Sequence, residues 1–271
     1  MKKRFLQAGK AICYLFLFLG AQMAASICCS QFFSYVVRTF GAMENKAAAF
    51  LLSGYSFYVS ACSAILALGL LWLVFHLQNK TMRKVLPLNK IPRRLIPPLL
   101  LLAAGMVLVT NGVLQLLPDG ILNAYNQASA VWSSMPLMYT LLATGLCAPV
   151  LEEIIFRGLI LTSLERGMPS WAALLLSAFL FGICHGHPVW AIYAAVFGCV
   201  LGILTLVYGS LLPALLVHMI YNILGSLLPY LDGSIFSRVS LPIGLLLMGA
   251  GAAILAKDWQ AHLTEKKSIV I

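Results

Sequence analysis

Glu152-Glu153-Ile154-Ile155-Phe156-Arg157 is the stretch on which the reading of this chain turns. Two of the chain's eight acidic residues stand side by side here, in the middle of an apolar segment, with an arginine one helical turn on. An ionisable group at membrane depth costs roughly 2.5–3.5 kcal/mol on insertion scales. Such groups survive by facing a protein interior or a water-filled cavity. Working outward from them means asking what they face.

The surroundings are those of a membrane protein. Of the 271 residues, 61% are hydrophobic and only 10% charged, against about 25% charged in soluble domains. Mean hydropathy is +0.94. A membrane helix needs roughly 20 apolar residues, and on that template the spans fall at about 11–37, 49–77, 97–117, 135–164, 170–186, 189–207, 211–229 and 241–256. The expected fold class is therefore all-α, a polytopic membrane protein with about eight transmembrane helices. Between spans two and three lies a basic loop with Lys80, Arg83, Lys84, Lys90, Arg93 and Arg94. Residues 118–134 contain no Lys or Arg and read as a loop, and Pro149 is expected to kink span four or break its hydrogen-bond ladder. The apolar run at the N-terminus continues to about Val37, longer than the roughly 7–15 apolar residues of a signal peptide, so an uncleaved first helix is expected.

The net charge of +10 is no sign of nucleic-acid binding, because the basic residues form short clusters between apolar spans. With eight spans, both ends lie on one side. That side takes fourteen of the 18 basic residues; Arg38, Lys46 and Arg238 fall on the other, and Arg157 is inside a span. The positive-inside rule then puts both termini in the cytoplasm of a cell with a multi-pass protein in its cytoplasmic membrane. No internal repeat is visible, which removes the usual signature of a secondary transporter.

The later spans hold few other polar groups: His185 near the end of span five, and His218 with Asn222 in span seven. Three i,i+4 pairs result: Glu153/Arg157, Phe181/His185 and His218/Asn222. Residues four apart share a helix face. Glu152 and Glu153 diverge by about 100°, so they are expected not to point at one place. Glu153 is set to bridge to Arg157, which leaves Glu152 as the better candidate for chemistry. Counted along the predicted spans, Glu152 and His185 lie deeper than His218, so a shared site demands tilted helices or shifted boundaries.

The order EExxxR, FxxxH and HxxxN on successive membrane helices resembles the intramembrane protease family of the type II CAAX prenyl endopeptidases and the bacteriocin-immunity (Abi) proteins, the CPBP family. The resemblance rests on Glu152, Glu153, Arg157, Phe181, His185, His218 and Asn222. It implies a CAAX-protease/Abi-like catalytic core at 135–230. Before it lie three spans and their loops over 1–134, a part variable in the family; after it come the last span and a cytoplasmic tail over 231–271. It implies an intramembrane endopeptidase acting on a membrane-associated or lipid-modified peptide or protein substrate in the lipid bilayer. Glu152 and His218 would activate the water, His185 and Asn222 would stabilise the oxyanion, and Glu153, Arg157 and Phe181 would support them. A carboxylate in a low-dielectric cavity gains strength as a base, and an amide that can only hydrogen-bond suits an oxyanion. The family has also been described as metal-dependent; the zinc ligands would then be Glu152, His185 and His218, although nothing resembles HExxH. The expectation is a glutamate-based reaction with no obligatory metal. The alternatives are a non-catalytic membrane scaffold or regulator of the same fold and a proton-coupled transporter.

Other chemistry-bearing residues read as structural. The seven cysteines all fall within apolar spans, and Cys184 as a nucleophile would need a thiolate in lipid. His187 before Pro188 reads as interfacial, and His76 and His262 as solvated. The tryptophans cluster near span ends, as interface anchors do.

Overall fold

Backbone polar groups in lipid must be satisfied within their own segment, so apolar spans of this length fold as helices. The computed structural model describes residues 2–40, 46–133, 135–231 and 233–268, and among these described residues the regular elements are all helical. In chain order they are α1 (Lys2–Phe40), α2 (Lys46–Ser53), α3 (Tyr55–Leu77), α4 (Met82–Val85), α5 (Ile96–Leu114) and α6 (Asp119–Ser133). A continuous rod of α- and π-helical pieces, α7 (Leu137–Glu165), follows; then come α8 (Ser170–Ile183), α9 (Pro188–Tyr208), α10 (Leu212–Leu227) and α11 (Gly233–Ser268). Among the described residues seven helices are long and apolar enough to cross a membrane, and α8 is a shorter apolar helix of 14 residues, roughly 21 Å at 1.5 Å per residue. The polytopic all-α architecture of about eight helices therefore stands.

Several boundaries differ from the sequence expectation. The second span breaks at Gly54, where a Cβ would come within 2.8 Å of the Tyr139 ring. The stretch expected as the loop 118–134 is largely the helix α6. Pro118 opens it, its carbonyl accepting the N–H groups of Ile121 and Leu122, and Asp119 in the first turn favours the positive helix end. The absence of Lys and Arg from this stretch said nothing of its conformation. The tail after the last span continues α11 to Ser268. There Asp258 pairs with Arg94 of the basic loop at 2.8 Å.

Two arrangements position the later helices. One is the clamp of the basic loop on the α9–α10 turn. Gly209 turns the chain with φ +58°. Asn89 donates to the Gly209 carbonyl at 2.8 Å, Ser210 donates to the Asn89 carbonyl at 2.7 Å, and the Leu211 N–H donates to the Pro87 carbonyl at 2.8 Å. The start of α10 is thereby set by residues some 120 positions earlier. The other is the response of α7 to Pro149. Proline offers no N–H and crowds the preceding turn. The rod widens to a π-helix over Ala143–Cys147, with the Ala148 N–H reaching back to the Ala143 carbonyl, and then continues to Glu165. The expected disruption is thus a widening, and the rod does not end.

The core runs through α1, α3, α5, α7, α8, α9 and α10 and takes in Leu255 of α11. Phe18 of α1 meets Phe156 of α7 edge to face, ring centroids 5.4 Å apart. α5 and α11 pack backbone to backbone: a Cβ on Gly105 would lie 2.3 Å from the Met248 nitrogen, and one on Gly251 would lie 2.7 Å from the Leu102 nitrogen. Small residues allow this close approach, and van der Waals contact drives helix association where lipid is as apolar as leucine. Gly105→Leu is expected to destabilise the protein by about 1–3 kcal/mol through overpacking. Gly249→Leu, whose Cβ meets nothing within 4 Å, is expected to be neutral. Thermal unfolding of the two variants in the same detergent checks the contrast.

Candidate active site

The apolar core closes around one fully buried arginine. Arg157 is 1% exposed and Glu153 is 0% exposed, too deep for either charge to stand alone. Arg157 donates to Glu153 Oε1 at 2.8 Å and to the Gly198 carbonyl at 3.2 Å. Its guanidinium lies 4.1 Å from the centroid of the Phe181 ring, a cation–π contact. Gly198 keeps this crossing close: a Cβ there would stand 3.1 Å from Phe181 and 3.2 Å from the guanidinium, so both would have to shift by a few tenths of an ångström. The i,i+4 bridge read from the sequence is therefore present, and it is also tied to α8 and α9.

Glu153 has a second partner that the sequence reading missed. His218 Nδ1 lies 2.8 Å from the same Oε1. A carboxylate already paired with arginine can only accept, so Nδ1 carries the proton and donates it. The opposite nitrogen, Nε2, then faces Glu152 Oε2 at 3.7 Å. The expectation that the adjacent glutamates diverge from a common target is corrected here. They do diverge, but the imidazole lies between them and presents one nitrogen to each. They differ in access: the Glu152 side chain is 15% exposed and that of Glu153 is 0% exposed. Glu152 can meet a water or a substrate; Glu153 can only hold its neighbours. Its second oxygen, Oε2, is buried with no partner among the described residues.

The difference in depth counted between His218 and Glu152 does not keep them apart: α10 begins at Leu212, close to the expected start, and the two side chains still meet at 3.7 Å. His185 lies just beyond α8, whose last residue is Ile183, and is half-buried. Its Nδ1 is 2.8 Å from the Phe181 carbonyl, an acceptor, so Nδ1–H is fixed as the donor. In a neutral ring Nε2 is then an acceptor; in a protonated ring it donates, as the oxyanion role expected of His185 requires. Phe181 binds the set together: its ring meets those of His185 at 4.8 Å, Phe156 at 5.1 Å and His218 at 5.9 Å, all edge to face.

Asn222, one turn beyond His218, is anchored elsewhere. Its Nδ2 donates to the Thr144 carbonyl at 2.7 Å. Within the π-turn the natural donor to that carbonyl is the N–H of residue 149, and residue 149 is proline. Asn222 supplies the missing donor and keeps its second N–H. Thr144 and Ser226 lie 3.2 Å apart by their hydroxyl oxygens and continue the network. Phe197 stacks on Tyr221 at 4.3 Å and meets His218 edge to face at 5.2 Å, walling the site from α9. The FxxxH spacing pointed to one aromatic wall; nothing in the sequence singled out Phe197.

Zinc held by Glu152, His185 and His218 would need donors converging within about 2.0–2.2 Å of one point. Among the described residues no three His, Cys, Asp or Glu side chains converge in that way.

Residues 134–224 match the family model of the Rce1-like type II CAAX prenyl endopeptidases. No curated protein and no solved structure matches the chain. The matched span, about a third of the chain, contains Glu152, Glu153, Arg157, Phe181, His185, His218 and Asn222, and over this core the chain is similar to the Rce1-like type II CAAX prenyl endopeptidases.

Proposed function

We propose that the protein is an intramembrane endopeptidase that hydrolyses a peptide bond in a membrane-associated or lipid-modified substrate. The observation that carries this reading is the facing of Glu152 Oε2 and His218 Nε2 at 3.7 Å, with Glu153 and Arg157 fixed behind the imidazole. Peptide hydrolysis needs an activated water and a donor for the developing oxyanion. A water at hydrogen-bond distance, ~2.8 Å, from both Oε2 and Nε2 forms a compact triangle on that base.

Glu152 accepts the water's proton as its oxygen attacks the carbonyl carbon. His218, its tautomer set by Glu153, holds the same water by Nε2. The second N–H of Asn222 stabilises the oxyanion. His185 presents an acceptor, which suits it to handling protons. The proton on Glu152 then passes to the leaving amine, and the peptide bond breaks without any change of oxidation state. The catalytic core is 135–230, the flanking helices serve as its scaffold, and no metal is needed. The excess of basic residues on one side supports placement in the cytoplasmic membrane with both termini cytoplasmic.

With the protein reconstituted in proteoliposomes and a library of membrane-anchored peptides as substrate, mass spectrometry of the products tests the assignment. Glu152→Gln is expected to lower the rate of the cleavage seen with wild type by about 10²–10⁴-fold, the range of a general base, with unchanged thermal unfolding. Cleavage by Glu152→Gln at the wild-type rate, or no cleavage by wild type across the library, would favour a non-catalytic scaffold. Arg157→Met should behave differently. It strands Glu153 in the core and is expected to cost about 3–5 kcal/mol of stability, read as a lowered unfolding temperature. Dialysis against a chelator is expected to leave cleavage unchanged; loss of activity restored by zinc would reverse the metal-free reading.

A further inference from the structure

On the back of α7, away from Glu152, lies a groove of about 790 Å³ between α1, α3 and the basic loop. Its apolar walls include Phe5, Leu6, Phe75 and Leu159. Lys10, Lys80, Lys84 and Arg166 line it as well, and no acidic residue does. The hydroxyl-bearing Tyr14, Thr162 and Ser163 also reach it. Four cations from three separate parts of the chain have been brought to one groove, where they repel one another. Among the described residues Lys80 donates to the neutral amide of Gln78 at 3.0 Å, and no ion pair uses Lys10, Lys84 or Arg166.

We propose that this groove binds an anionic phospholipid, its headgroup phosphate among Lys10, Lys84 and Arg166 and an acyl chain along the apolar wall. The charge alone would suit any phosphate. The apolar lining selects a lipid, because a free phosphate gains nothing from Phe5, Leu6, Phe75 and Leu159. The groove also lies where lipid is found: α1 and α3 present large exposed apolar side chains along their length, among them Phe16, Ile65 and Trp72. Basic residues near a membrane surface attract anionic lipid. The site differs in ligand and position from the Glu152–His218 pair and stands whether or not that pair is catalytic.

The test uses the full chain purified in detergent with equimolar phosphatidylglycerol and phosphatidylcholine, and native mass spectrometry to count the retained lipid. Wild type is expected to retain phosphatidylglycerol selectively. The triple variant Lys10→Gln, Lys84→Gln, Arg166→Gln is expected to lose it by roughly tenfold or more. A control with Arg83, Lys90 and Arg93 changed to Gln, residues that do not line the groove, should retain it. Gly9 lines the groove and a Cβ there meets nothing within 4 Å, so Gly9→Trp should fill it and expel the lipid with no change of charge. Equal retention of the two lipids by wild type would overturn the proposal, as would undiminished retention by the triple variant with wild-type thermal unfolding. Undiminished retention in Gly9→Trp, or competition by inorganic phosphate as effective as by lipid, would show an electrostatic patch and overturn it too.

Discussion

The buried charge of Arg157 is the constraint on which the rest of this structure depends. A guanidinium with 1% exposure in an apolar bundle must find acceptors, and it finds them on two helices: Glu153 on its own, and the Gly198 carbonyl on α9. The face of Phe181 on α8 completes its surroundings. Three helices are thus held in register by one side chain. Glu153 passes the constraint on to His218, and with it to a fourth helix. The orientation of the imidazole follows from a charge that takes no part in the proposed chemistry.

That arrangement also separates two carboxylates that are neighbours in sequence. Their pairing is a division between a buried group that orders the site and a partly accessible one that faces it. Because the imidazole has two nitrogens on opposite edges, the divergence of the two side chains is what lets both engage it. The same logic applies to His185, whose backbone acceptor decides which nitrogen is free.

Much of this was legible before the fold was known. The helical class follows from apolar run lengths, and the Glu153–Arg157 bridge from a spacing of four. The grouping of Glu152, His185 and His218 was suggested by motif order. What stayed hidden depends on the third dimension. Nothing local marks His218 as the partner of Glu153, because the two are 65 residues apart. The helix α6 was hidden by a composition of amides and small residues that suits a turn as well as an amphipathic surface. The role of Asn222 is partly written in Pro149: an imino acid five residues after Thr144 matters only once the local helix is π-helical.

The i,i+4 bridge has a consequence for how such a protein is made. Chains enter the bilayer from the N-terminus onward, so α7 is inserted while α10 is still being synthesised. Glu153 and Arg157 neutralise each other within a single helix, so α7 can leave the translocation machinery carrying no net charge from that pair. His218 arrives later and takes a lone pair on an oxygen that is already committed. The nascent chain is thus spared the two naked charges of that pair, and the site, Glu152 included, stays incomplete until the seventh of the expected spans is in place.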